Sequence, residues 1–149
     1  MKKTFFLAVI LILVSSMGNS ADMKGKIGAG FNYPGIQIRY GITDKILAEY
    51  KMQFASNNLT MGARGYYNLF EIPGTVTITP YVGGEFSWIT SSVLTSGYLT
   101  GGFAGVELMV AKNISIGGDA GLYWVSLGST LGTYADYGLI FNAGITYYF

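Results

Sequence analysis

From Lys24 to Phe149, apolar side chains alternate with polar or small ones at a period of two, and only short turn-like clusters break the pattern. That period belongs to β-strands with one apolar face, so the chain is constrained to an all-β fold. Eight segments carry it. The first sets Ile27, Ala29, Phe31 and Tyr33 on one face and turns at Pro34-Gly35; the second sets Ile36, Ile38, Tyr40 and Ile42 and ends at Asp44-Lys45. The third carries Ile46, Ala48, Tyr50, Met52 and Phe54 up to Ser56-Asn57-Asn58, and the fourth Leu59, Met61, Ala63, Gly65, Tyr67 and Leu69 up to Pro73-Gly74. The fifth carries Val76, Ile78, Pro80, Val82, Phe86 and Trp88, and a Ser/Thr-rich loop is expected from Thr90 to Ser96. The sixth carries Tyr98, Ala104, Val106, Leu108 and Val110 to a turn at Lys112-Asn113, and the seventh Ile114, Ile116, Ala120, Leu122 and Trp124. The longest loop is expected from Ser126 to Asp136, before a last segment of Tyr137, Leu139, Phe141, Ala143, Ile145, Tyr147 and Phe149. Pro80 has no backbone donor, which predicts a bulge or register slip there.

Charge decides which way the apolar face points. In this register every charged residue after the leader lies on the opposite face or in a turn. A soluble barrel needs an outer surface rich in Lys and Glu, yet charged residues make up only 11% of the chain and aromatics 15%, against roughly 25% charged in ordinary soluble domains. The polar face is mostly Gly, Ser and Thr, which suits the narrow interior of an eight-stranded barrel better than a water-facing surface. The apolar face is therefore expected to meet lipid, where closure of the sheet satisfies every backbone group. With both termini periplasmic, Tyr33, Phe54, Trp88, Tyr98, Trp124 and Tyr137 form an upper aromatic band, and Tyr40, Tyr67, Tyr147 and Phe149 a lower one. Such rings prefer the two membrane–water interfaces.

The N-terminus agrees on compartment. Lys2 and Lys3 precede an apolar run from Phe5 to Val14 and the small or polar stretch Ser15 to Ala21, the layout of a cleavable signal peptide. The expected division is a leader over residues 1–21 and a barrel over 22–149. Loss of the leader leaves seven basic and eight acidic residues, net −1, so no basic patch for nucleic acid is expected. There is no cysteine for a disulfide and no histidine. The missing histidine disfavours zinc sites and Ser-His-Asp chemistry together. No cofactor and no metal are expected.

At the C-terminus, Ile145, Tyr147 and Phe149 alternate into a terminal aromatic residue. This resembles the signal read by the outer-membrane barrel-assembly machinery, and with eight segments the chain resembles small outer-membrane β-barrels such as the OmpA transmembrane domain and OmpX. The resemblance implies an up-and-down antiparallel barrel in a bacterial outer membrane, outer-membrane lipids as surroundings, periplasmic chaperones and the assembly machinery as partners in biogenesis, and a monomer. It implies no activity.

The one dense polar set on the inward face is Arg39, Glu49, Lys51, Arg64, Glu85, Glu107 and Asp119, with opposite signs on neighbouring strands. Buried charges require partners, so a structural ion-pair network filling the lumen is the first expectation. The sharper alternative is a thin water-filled path making a narrow, low-conductance pore; a lipid-active enzyme is a remote third. Asn58-Leu59-Thr60 and Asn113-Ile114-Ser115 match the glycosylation pattern at positions where a turn Asn followed by strand residues is expected by chance. The pairs Gly83-Gly84, Gly101-Gly102 and Gly117-Gly118 lack the strand–loop–helix setting of a phosphate loop, and tight curvature or close packing explains them more simply.

Overall fold

The structure, a computed structural model, describes residues 23–55, 57–91, 96–129 and 132–149. The leader expected over 1–21 lies outside the described residues, as do positions 92–95 of the Thr90–Ser96 segment. Eight strands form: β1 (Ile27–Asn32), β2 (Gly35–Gly41), β3 (Ile46–Ala55), β4 (Asn58–Asn68), β5 (Thr77–Ser91), β6 (Gly97–Ala111), β7 (Ile114–Ser129) and β8 (Gly132–Tyr148). Each pairs antiparallel with its sequence neighbour, and β1 pairs with β8, so the sheet is a closed up-and-down barrel. Each of the eight alternating segments supplies one strand, with its apolar face outward and its polar face in the lumen. Local chemistry sets the short connections. Between β2 and β3, for example, the Thr43 hydroxyl accepts from the backbone N–H of Lys45 at 3.2 Å and of Ile46 at 3.0 Å, a side-chain mimic of a backbone turn.

Two local expectations are corrected. Pro80 causes no slip, since β5 pairs with β6 in continuous register through Pro80↔Val106. Its carbonyl accepts from Leu69 N at 3.0 Å, and β4 ends one residue earlier at Asn68. The missing donor therefore falls where the β4 ladder has already stopped. The irregularity lies instead between Met109 and Ala111, beside the Lys112-Asn113 turn.

The second correction is the Ser126–Asp136 loop, most of which is strand. The pairs Val125↔Asp136, Ser126↔Ala135, Leu127↔Tyr134 and Gly128↔Thr133 carry the β7–β8 ladder to Ser129↔Gly132. Small and polar residues hide this, because backbone pairing continues wherever two aligned strands persist.

Register fixes the barrel's shape. Cross-strand partners run from Asn32 through Gly35, Gln53, Thr60, Ile89, Gly97 and Leu127 to Tyr134, while Asn32 itself also pairs with Gly144, so one circuit is displaced by ten residues (144 − 134). With about 3.3 Å per residue and about 4.8 Å between strands, that shear tilts the strands by about 41° and leaves about 2.5 Å of height per residue. An even displacement preserves the inside–outside alternation across the closing seam.

Strand lengths grow from 6 residues in β1 to 17 in β8, so the upper rim climbs around the barrel. Trp88 and Tyr98 are direct partners, Trp124 and Tyr137 meet edge to face at 4.6 Å, and both pairs lie at one height with Phe54. Tyr40, Tyr67, Tyr147 and Phe149 lie roughly 22 Å lower by the same geometry. Tyr33 departs from the expected upper band: it sits on the turn after the short β1, about 10 Å below the band, and is 81% exposed.

Candidate functional site

Strand alternation turns every second residue of β2 to β8 inward, and seven of those side chains are charged. The structure brings Arg39, Glu49, Lys51, Arg64, Glu85, Glu107 and Asp119 together in one buried cluster in the lower half of the lumen. Arg39 Nε lies 2.6 Å from Glu49 Oε2 and its Nη1 2.7 Å from Glu107 Oε1. Lys51 Nζ lies 2.6 Å from Glu85 Oε1. Arg64 is the hub, with Nη2 2.8 Å from Asp119 Oδ2, Nη1 3.5 Å from Glu49 Oε1 and Nε 3.1 Å from Glu85 Oε2. The Nε–H lacks the alignment for a hydrogen bond, so that last contact is Coulombic only.

Aromatic side chains complete the filling. The Arg64 guanidinium lies 3.9 Å from the centroid of the Phe103 ring, and Tyr66 sits between Arg64 and Arg39 at 5.1 and 5.0 Å. Planar cations over ring faces gain electrostatically when water is absent. Tyr66 and Tyr81 meet edge to face at 5.1 Å, and Tyr66 and Phe103 at 5.2 Å.

Phenols and small polar groups satisfy the remaining carboxylate lone pairs. Tyr66 donates to Glu49 at 2.6 Å, Tyr81 to Asp119 at 3.2 Å, Tyr123 to Glu85 at 3.1 Å and Tyr148 to Glu107 at 2.9 Å. Ser87 donates to Glu85, Ser115 to Glu107 and Asn142 to Asp119. The inward position of Tyr66, Tyr81 and Tyr123 follows from alternation, but their role as donors was missed, and Tyr148 was missed entirely. Its signal was available, since it occupies an inward position of the last alternating segment. Above the cluster, Gln53 Nε2 reaches Asn32 Oδ1 at 3.2 Å and Asn142 Oδ1 at 3.4 Å, forming an amide layer.

Ile145, Tyr147 and Phe149 lie on the outer face at the lower end of β8. Ile145 and Tyr147 pair with Phe31 and Ala29, the Tyr147 and Phe149 rings meet at 5.0 Å, and Phe149 N donates to Ile27 O at 2.9 Å.

Together these define a class: a closed eight-stranded antiparallel barrel with an apolar exterior and an ion-paired, aromatic-filled interior. No protein-family model matches the chain, and no curated protein matches it. Among solved structures, that of Neisserial surface protein A is similar at 18% identity, over 83% of this chain and 92% of that one, with a TM-score of 0.48.

Proposed function

We propose that the chain is an integral β-barrel of a bacterial outer membrane, non-catalytic, acting as a rigid scaffold with a side-chain-filled lumen in a structural or surface-interaction role. The observation that carries this reading is the inversion of burial. Lys51 is 2% exposed, whereas Phe31 and Phe141 are each 72% exposed. A water-soluble fold would pay the hydrophobic cost of that exterior in full, while hydrocarbon relieves it. The two aromatic bands are separated by a height close to that of the apolar belt of outer-membrane barrels, about 25 Å. The leader pattern of the sequence over residues 1–21 supports the same compartment.

The mature protein is expected to fractionate with outer membranes and to migrate anomalously on gels until heated. Recovery as a soluble periplasmic protein without detergent sinks the reading. Conductance separates scaffold from pore: a filled lumen gives planar bilayers with no steady channels. The narrow pore is kept as a second reading because the seven lumen charges are unequal, four carboxylates against three cations, which favours cation passage. Steady cation-selective channels overturn the scaffold.

Phe149 is proposed, with Ile145 and Tyr147, to form the segment read by the assembly machinery. Its deletion is expected to lower the yield of folded, membrane-inserted protein in cells. Normal yield in the deletion variant removes that role.

A further inference from the structure

The wall of the barrel is stepped. β8 exceeds its neighbour β1 by eleven residues (17 against 6), and β1 stops at Asn32↔Gly144. Among the described residues, no strand lies against β8 above that point on the β1 side. Two hydrogen bonds fix which backbone groups face this gap. Tyr33 N donates to Ala143 O at 3.0 Å, and Phe149 N donates to Ile27 O at 2.9 Å. Odd-numbered residues of β8 therefore turn their N–H and C=O toward β1, and alternation carries the same direction up to Phe141, Leu139 and Tyr137. Their side chains point out of the barrel and are strongly exposed.

At the foot of the step, the top of the β1–β2 hairpin meets β8 in a groove of about 400 Å³, walled by Phe31, Tyr33, Pro34, Ile116, Ala143 and Ile145. By register this groove lies near mid-height between the aromatic bands. Tyr137 lies in the upper band, and Leu139 about 5 Å below it.

We propose that the step is a binding site for one phospholipid of the surrounding membrane, with an acyl chain in the groove and an ester or headgroup oxygen accepting from the backbone N–H of Leu139; the Tyr137 N–H above it already donates to Asp136 Oδ1 at 2.7 Å. The inference rests on the membrane reading above. A backbone donor facing hydrocarbon without an acceptor is costly, and the step sets the Leu139 N–H just below the upper aromatic band and above an apolar groove. An amphiphile meets both demands at once. Among the described residues, no other neighbouring strands differ in length by more than 4 residues, so no comparable edge opens elsewhere in the described wall.

The test is native mass spectrometry of full-length mature protein reconstituted in vesicles of phosphatidylethanolamine and phosphatidylglycerol and released in mild detergent. The wild type is expected to retain one phospholipid. Ala143→Phe fills the groove and is expected to lose it, whereas Ala63→Phe, at a similar height on the opposite wall, retains it. Leu139→Pro removes a donor facing the gap without breaking the β7 ladder, and is also expected to lose the lipid. It supplies the same comparison should Ala143→Phe fail to fold, with heat-modifiable migration reporting folding. Equal retention in all folded variants overturns the site, as does retention of added palmitate in place of phospholipid. Either result in a protein that still fractionates with membranes leaves the membrane reading intact.

Discussion

Replacing Arg64 with alanine is expected to destabilise the folded barrel by roughly 3–5 kcal/mol, the usual cost of leaving buried charges without their partner. Arg64 touches three carboxylates, those of Glu49, Glu85 and Asp119, and covers the Phe103 ring. Its removal takes the seven-charge cluster from net −1 to net −2 among residues that are each buried. Glu49 keeps Arg39 and Tyr66, and Glu85 keeps Lys51, Ser87 and Tyr123. Asp119 loses its only cation among the described residues, keeping Tyr81 and Asn142.

Glu85→Ala is expected to cost less, because Arg64 retains two carboxylates while Lys51 alone is stranded. The double variant should cost less than the sum of the two, as groups in one network are not independent. Urea titration of refolded protein in detergent, followed by heat-modifiable migration, measures all three. A loss under about 1 kcal/mol for Arg64→Ala would mean that lumen water solvates the freed carboxylates, which favours the pore.

How much of this was readable from residues alone depends on how each contact is built. Arg39 and Glu49, Glu49 and Arg64, and Arg64 and Glu85 are direct cross-strand partners, so consecutive strands in the correct register already put them side by side. Arg39 to Glu107 and Arg64 to Asp119 cross the lumen, from β2 to β6 and from β4 to β7. Those depend on shear and diameter, which no single strand's pattern encodes. Lys51 reaches Glu85 from β3 to β5 over Gly62, its partner on the intervening strand. The step in the wall was hidden for a related reason. Alternation marks which face a residue takes but not how far a ladder runs, so the pattern alone sets Tyr33 too high and leaves the Ser126–Asp136 ribbon indistinguishable from a loop.

The glycine pairs show the same limit and support a second large effect. Gly83 and Gly84 are adjacent and indistinguishable by composition, yet they face opposite sides of the wall. A Cβ on Gly83 would lie 2.3 Å from the Gly65 carbonyl oxygen and 2.4 Å from Cζ of Phe103, whereas on Gly84 its nearest neighbour would be the Gly101 carbonyl oxygen at 3.7 Å. Phe103 cannot retreat freely, being held between Arg64 and Tyr66, and a backbone carbonyl moves only with its strand. Gly83→Ala is therefore expected to destabilise by roughly 1–3 kcal/mol, the range for overpacking an interior. Gly84→Ala is expected to be neutral or to stabilise by up to about 1 kcal/mol, since alanine restricts the unfolded chain without clashing in the folded one. The same urea titration, run on the two single variants side by side, reads the difference. Equal effects would mean that the lumen around Phe103 is loose enough to absorb a methyl group, and the rigid scaffold would lose its support.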